Sequence, residues 1–162
     1  MAVVFVSIGS NVDREMNIRS GVADLRHCYD RMRLSSVYDS EAVGFSGDNF
    51  YNLVAGFDTE ESVAEVATRL RQIEDRHHRR RQTVRFSPRT LDIDLLLYDN
   101  LVLDIPGLKL PRDEILTSAF VLGPLAEIAG ENYHPLEKRT YQDLWRKFDQ
   151  ASQPMHRVVF DW

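Results

Sequence analysis

The stretch Arg89-Thr90-Leu91-Asp92-Ile93-Asp94-Leu95-Leu96-Leu97-Tyr98 is an aliphatic run broken by two carboxylates. Its length and branching indicate a strand. Residues two apart on a strand project to one face, so Asp92 and Asp94 stand side by side while Leu91, Ile93 and Leu95 face the other way. Like charges that close repel, and a cation between them relieves the repulsion. Paired hard oxygen donors with few other protein ligands suit Mg²⁺, which keeps waters and substrate phosphates in its remaining positions. A solvated edge-strand face is the alternative that so short a motif leaves open.

Upstream, Arg76 to Arg89 holds six arginines in fourteen residues of a chain whose net charge is −5. Guanidinium groups grip phosphate oxygens in pairs, and beside an acidic pair they supply what a metal-nucleotide site needs. A solvated helix end or a sequence-independent nucleic-acid patch is the other reading of the same residues. So many cations on a short polar stretch repel one another, and the segment from Arg79 to Pro88 is expected to order when phosphate arrives.

Working outward, the other elements alternate. Val3 to Ile8 is a β-branched run ended by Gly9-Ser10-Asn11, and Ile18, Val22, Leu25 and Tyr29 follow at helical spacing. Leu34–Tyr38 and Leu53–Phe57 read as strands, separated by an irregular Asp39–Asn49 that is too long for a tight turn. Ser62-x-x-Glu65 is a capping box for a helix with Val63, Val66, Ala67, Leu70 and Ile73 on one stripe. The strand at Asp92 completes β-α-β-β-α-β, an α+β ferredoxin-like core with helices on one sheet face and the other face available. C-terminal helical and short-strand additions are expected: a helix over Ile115–Ile128 interrupted near Gly123-Pro124, a helix over Thr140–Phe148, and an edge strand at Val158–Phe160.

Length and composition set the frame. A chain of 162 residues, 43% hydrophobic, suits one domain over 1–162 with an adequate core. Its acidic balance argues against bulk affinity for nucleic acid or anionic membrane. Cys28 stands alone and reads as a buried thiol of a reducing compartment. With no apolar run long enough to span a bilayer and no leader-like start, a cytoplasmic protein is expected. No GxxxxGK[ST] cradle occurs, so any nucleotide is held by other means.

Several separated elements together carry a family resemblance: Ser7-Ile8-Gly9-Ser10-Asn11, Phe50-Tyr51-Asn52, Glu74, Ser87 to Asp94, and Ala119 to Leu125. In these the chain resembles the 6-hydroxymethyl-7,8-dihydropterin pyrophosphokinases of folate biosynthesis. The resemblance implies an ATP-dependent transferase that moves pyrophosphate to the pterin hydroxymethyl group and releases AMP, with two Mg²⁺ ions on Asp92 and Asp94. It places Glu74, Arg79, Arg81, Arg85, Arg89, Leu95 and Arg112 with ATP, Arg79 and Arg89 acting on the triphosphate and Arg81 and Arg85 on a closing loop. The pterin falls between Phe50 and Phe120, with Asn52 pairing its edge and the loop from Ser40 to Val43 offering backbone hydrogen bonds. Without the resemblance, Phe50 and Phe120 read as ordinary core residues.

The chain departs from the family pattern at Ser40-Glu41, Phe86, Arg112 and Ser118. The last two stand where a His and an Arg are usual, so ATP is expected to be held more weakly. The implied partners are ATP and a reduced pterin, with no nucleic acid or membrane, acting on a monomer. Alternatives are a pterin- or nucleotide-binding paralogue without turnover, or a ferredoxin-like module for single-stranded RNA, whose stacking aromatics are not evident in the strands.

Overall fold

The computed structural model describes residues 1–40, 49–79 and 91–162, without the side chain of Arg79. In chain order these form β1 (Ala2–Ser10), α1 (Arg14–Cys28), β2 (Arg33–Leu34), β3 (Val37–Ser40), β4 (Phe50–Thr59), α2 (Val63–Arg79) and β5 (Asp92–Tyr98). A hairpin of β6 (Leu103–Ile105) and β7 (Leu108–Leu110) follows, then α3 (Glu114–Thr117), α4 (Ala119–Ala129), α5 (Tyr141–Lys147), a short 3-10 turn, and β8 (Met155–Val158). The main sheet runs β5-β1-β4-β3-β8 with antiparallel pairing, and β2 joins β4 at its far end. Leaving aside the added edge strand β8, this is the fourth-first-third-second strand order of the expected ferredoxin-like core.

Alternation along the strands decides what each face does. Val4, Val6, Ile8, Leu53, Ala55, Phe57, Ile93 and Leu95 meet Ile18, Val22 and Leu25 of α1 and Val66, Leu70 and Ile73 of α2 in the larger core. Burying each such side chain contributes about 1.5–3 kcal/mol. The capping box is present at the start of α2: the Ser62 N–H donates to Glu65 (3.1 Å) and the Glu65 N–H to the Ser62 hydroxyl (3.2 Å).

The second sheet face is not left open as expected. Phe5, Val54, Leu96 and Leu97 pack under Ile115, Val121, Leu122, Leu125 and Tyr141 of the C-terminal helices. The helix expected over Ile115–Ile128 breaks at Ser118, which is extended (φ −123°, ψ 119°), and runs unbroken through Gly123-Pro124. Pro124 forfeits one helical hydrogen bond, and its burial offsets that. The strand expected over Leu34–Tyr38 is split at Ser35. There the Ser35 hydroxyl accepts the Val54 N–H (2.9 Å), a bond a backbone carbonyl makes in a regular ladder. The edge strand lies at Met155–Val158 rather than Val158–Phe160, because Phe160 is turned onto the Tyr51 ring (centroids 6.2 Å apart).

One polar cluster ties both crossover helices to the sheet. The Tyr29 ring stacks on Phe57, its hydroxyl donates to Glu61, and Arg69 donates to the same carboxylate (2.6 Å). The Arg69 hydrogen bond outweighs burial and holds the Glu61 carboxyl below its ordinary range. A depressed folded value means stability present at neutral pH and lost as pH falls through it. Glu61→Gln is therefore expected to cost about 1–2 kcal/mol at pH 7. The difference in Tm from the parent should narrow as both are melted at progressively lower pH; a constant difference would assign the effect to packing instead.

Candidate active site

The sheet face beneath α4 changes character along its length. On β1, β4 and β5 it runs from Phe5, Val54 and Leu96, covered by α4, to Ser7, Gly9, Asn52, Asp94 and Asp92, which are left uncovered. The apolar end binds the helix and the polar end cannot, so a cleft of about 270 Å³ remains there. Phe50 and Phe120 stand among its walls, with Ser40, Arg112, Glu114 and Val121. Its size is near the lower end of small-molecule sites, which begin at roughly 300 Å³.

Asp92 and Asp94 share the cleft face, while Ile93 between them lies in the helix-side core. The buried Glu74 carboxylate accepts the Ile93 N–H (2.9 Å) from behind the strand, so Glu74 supports the backbone that carries the pair and does not line the cleft. Leu95 likewise buries its side chain in the core and has only its backbone to offer a ligand.

A β-bulge delivers the cation. Leu95 faces Val6 and Leu97 faces Phe5, which leaves Leu96 as the extra residue. The Leu96 carbonyl accepts the Arg112 N–H (3.1 Å). From that anchor the Arg112 guanidinium reaches Asp94 (3.5 Å) and Glu114 (3.1 Å). All three side chains are 35–45% exposed, so the pairs contribute at most about 1 kcal/mol each and can exchange partners cheaply.

On the opposite wall Asn52 is buried, and its amide donates to the Ser40 hydroxyl (2.9 Å). Gly9 makes this possible: a Cβ there would stand 2.6 Å from Asn52 Oδ1. The hydroxyl and the amide thus border a cavity that Phe50 and Phe120 also line, a combination that suits a planar polar bicycle.

Among the described residues no three His, Cys, Asp or Glu side chains converge as a metal cage. Two carboxylates with hard oxygens on one strand face do fit Mg²⁺, which fills its other positions with water and phosphate.

Ser7, Gly9, Glu114 and Val121 line the cleft without having been singled out as site residues from sequence. Strand parity from Phe5 points to Ser7 and Gly9, but no local signal points to Glu114. The Arg79 side chain, Arg81, Arg85, Arg89 and Val43 lie outside the described residues.

Fold and cleft define an α+β protein with a small-molecule site at the open end of an antiparallel sheet, bordered by paired carboxylates. The chain belongs to the 7,8-dihydro-6-hydroxymethylpterin-pyrophosphokinase family, whose model matches residues 5–130. It is 31% identical over 146 residues to the 2-amino-4-hydroxy-6-hydroxymethyldihydropteridine pyrophosphokinase of Aquifex aeolicus, covering 89% of this chain and 91% of the relative. To the protein of that name in Bacillus subtilis it is 34% identical over 131 residues, covering 78% and 77%. Among solved structures it resembles the HPPK-DHPS chain of Plasmodium falciparum with pterin and p-hydroxybenzoate (TM-score 0.71, 12% identity). That match covers 90% of this chain and 43% of the other, a likeness of fold alone.

Proposed function

We propose that this chain transfers pyrophosphate from ATP to the hydroxymethyl group of 6-hydroxymethyl-7,8-dihydropterin and releases AMP, a step of folate biosynthesis. The observation that carries this reading is the placement, in a member of this family, of Asp92 and Asp94 side by side at an aromatic-walled cleft. The hydroxymethyl oxygen attacks the β-phosphorus, a new P–O bond forms there as the hydroxyl proton passes to water, and the bond to the α-phosphate oxygen breaks so that AMP leaves with the electron pair. Such transfers are accelerated mainly by positioning and by neutralising charge on the oxygens in flight.

Asp92 and Asp94 are the residues that would hold Mg²⁺, two ions in all, which when bound screens the phosphate charge. Phe50 and Phe120 clamp the pterin ring, Asn52 and Ser40 pair its edge, and Arg112 leaves Asp94 for a phosphate oxygen. Arg79, Arg81, Arg85 and Arg89 supply the remaining positive charge. The protein acts as a monomer, and residues 1–162 act as one pyrophosphokinase domain. No described helix is long and apolar enough to cross a membrane. α4 covers the apolar end of the sheet face that a single-stranded RNA module would present.

The deciding experiment is a coupled assay for AMP release with ATP, Mg²⁺ and the reduced hydroxymethylpterin. No AMP above the pterin-free control would refute the activity.

Ser118, at the α3–α4 break, stands where the family pattern has an arginine. A lost charge-assisted phosphate contact is worth roughly 1.5–3 kcal/mol, and Arg112 recovers part of it. Ser118→Arg is expected to tighten MgATP binding about tenfold by calorimetry, one decade being about 1.4 kcal/mol, and to leave pterin affinity unchanged. Weaker MgATP binding would show that the site has been rebuilt for another phosphate ligand.

A further inference from the structure

The family model ends at residue 130, yet the chain beyond it returns to both walls of the cleft. Gln153 Oε1 accepts the Ala119 N–H (2.9 Å), and its Nε2 donates to the Thr117 carbonyl (2.9 Å). One amide therefore spans the break at Ser118, two residues before Phe120. The break needs this support: α3 is four residues long, and the Ser118 side chain makes no capping bond to α4. The Val121 and Leu122 N–H groups donate to the Ser118 carbonyl, and the Gln153 amide meets the buried first N–H of α4, at Ala119.

Two residues on, the same segment reaches the other wall. Met155 pairs with Ser40, the last described residue of β3, whose hydroxyl receives the Asn52 amide. The Met155 methyl also lies against α4 at Gly123, where a Cβ would stand 2.4 Å from it. Gln153 and Met155, two residues apart in the chain, thus touch the element that carries Phe120 and the strand that carries Ser40.

We infer that Gln153 to Met155 is a strap that sets the spacing between the Phe120 wall and the Ser40–Asn52 wall, with Gln153 the positioning residue for the pterin half of the cleft. The inference rests on the pyrophosphokinase reading for the identity of the ligand, though not for the geometry. A flat ring clamped between two aromatics loses contact on both faces when one wall moves, and displacements on the order of 1 Å are enough to matter. The described bonds and pairings of the strap go to Thr117, Ala119 and Ser40, which flank the pterin half of the cleft. Its loss should be felt by the pterin and not by ATP.

Gln153→Leu keeps the side-chain size and removes both hydrogen bonds; Gln153→Glu keeps the acceptor for Ala119 and loses the donor to Thr117. For Gln153→Leu the KM for the pterin is expected to rise five- to tenfold, with the KM for ATP and kcat within twofold of the parent. Gln153→Glu should fall between the two. Amide hydrogen exchange at Ala119, which needs no turnover, is expected to speed up in Gln153→Leu and stay slow in Gln153→Glu. Unchanged exchange at Ala119 in the leucine variant would overturn the strap whether or not the parent releases AMP. A parent that releases no AMP would instead overturn the assigned reaction. Equal increases in both KM values, with faster exchange throughout the domain, would reduce Gln153 to a general stabilising contact and also overturn the inference.

Discussion

Replacing Asp92 or Asp94 by alanine is expected to lower AMP release at least a hundredfold while leaving the fold in place. Both side chains line the cleft from one face of β5, and the apolar residues that hold the strand, Leu91, Ile93 and Leu95, lie in the opposite core. The substitutions therefore remove charge from the site without opening a cavity. Loss of electrostatic stabilisation at a transfer site typically costs on the order of a hundredfold or more in rate. In the ligand-free protein two adjacent carboxylates repel, a cost that either substitution relieves. Melting temperatures are accordingly expected to hold or rise slightly. Rates should be read at saturating ATP and pterin, with Tm recorded for each variant. Retention of more than about a tenth of the parental rate by either one would remove that residue from the metal site.

Asn52→Leu is expected to have the second largest effect, a thirty- to hundredfold loss in kcat/KM for the pterin with the KM for ATP unchanged. The side chain is buried on β4, its amide is oriented by Ser40, and Gly9 clears the space it occupies. Leucine fills a similar volume but offers nothing to the heteroatoms of a polar ring. Leaving a buried polar partner unsatisfied costs about 1–3 kcal/mol, and about 1.4 kcal/mol is one decade. Ser40→Ala should show a smaller loss of the same kind, because it removes the orienting hydroxyl and keeps the amide. Kinetics with each substrate varied in turn separate the two halves of the cleft. A rise in the KM for ATP and none in that for the pterin would place Asn52 on the nucleotide side.

These expectations depend unequally on sequence and on tertiary structure. The side-by-side placement of Asp92 and Asp94 is legible in the sequence because the period of two along a strand is a local property. So is the start of α2, since Ser62 and Glu65 meet within one turn. The β-α-β-β-α-β order follows from the same short-range periodicities, and the resemblance to one family rests on residues in five separate elements. By contrast, the strand break at Ser35 turns on a hydroxyl reaching Val54 on another strand, and the helix break falls at Ser118 rather than at Gly123-Pro124. Proline is a local signal against helix, and here burial of Pro124 overrides it.

The sequence by itself determined the core topology, the acidic pair and the family, because each is written in spacings of two to four residues or in contiguous motifs. Only the tertiary structure decided that α4 covers the apolar end of the second sheet face and leaves the polar end as a cleft. It likewise decided that a bulge at Leu96 brings Arg112 to Asp94, and that Gln153 ties down the junction before Phe120 from thirty-four residues away. Those outcomes depend on which distant surfaces are buried together, a matter of summed packing that no local periodicity encodes.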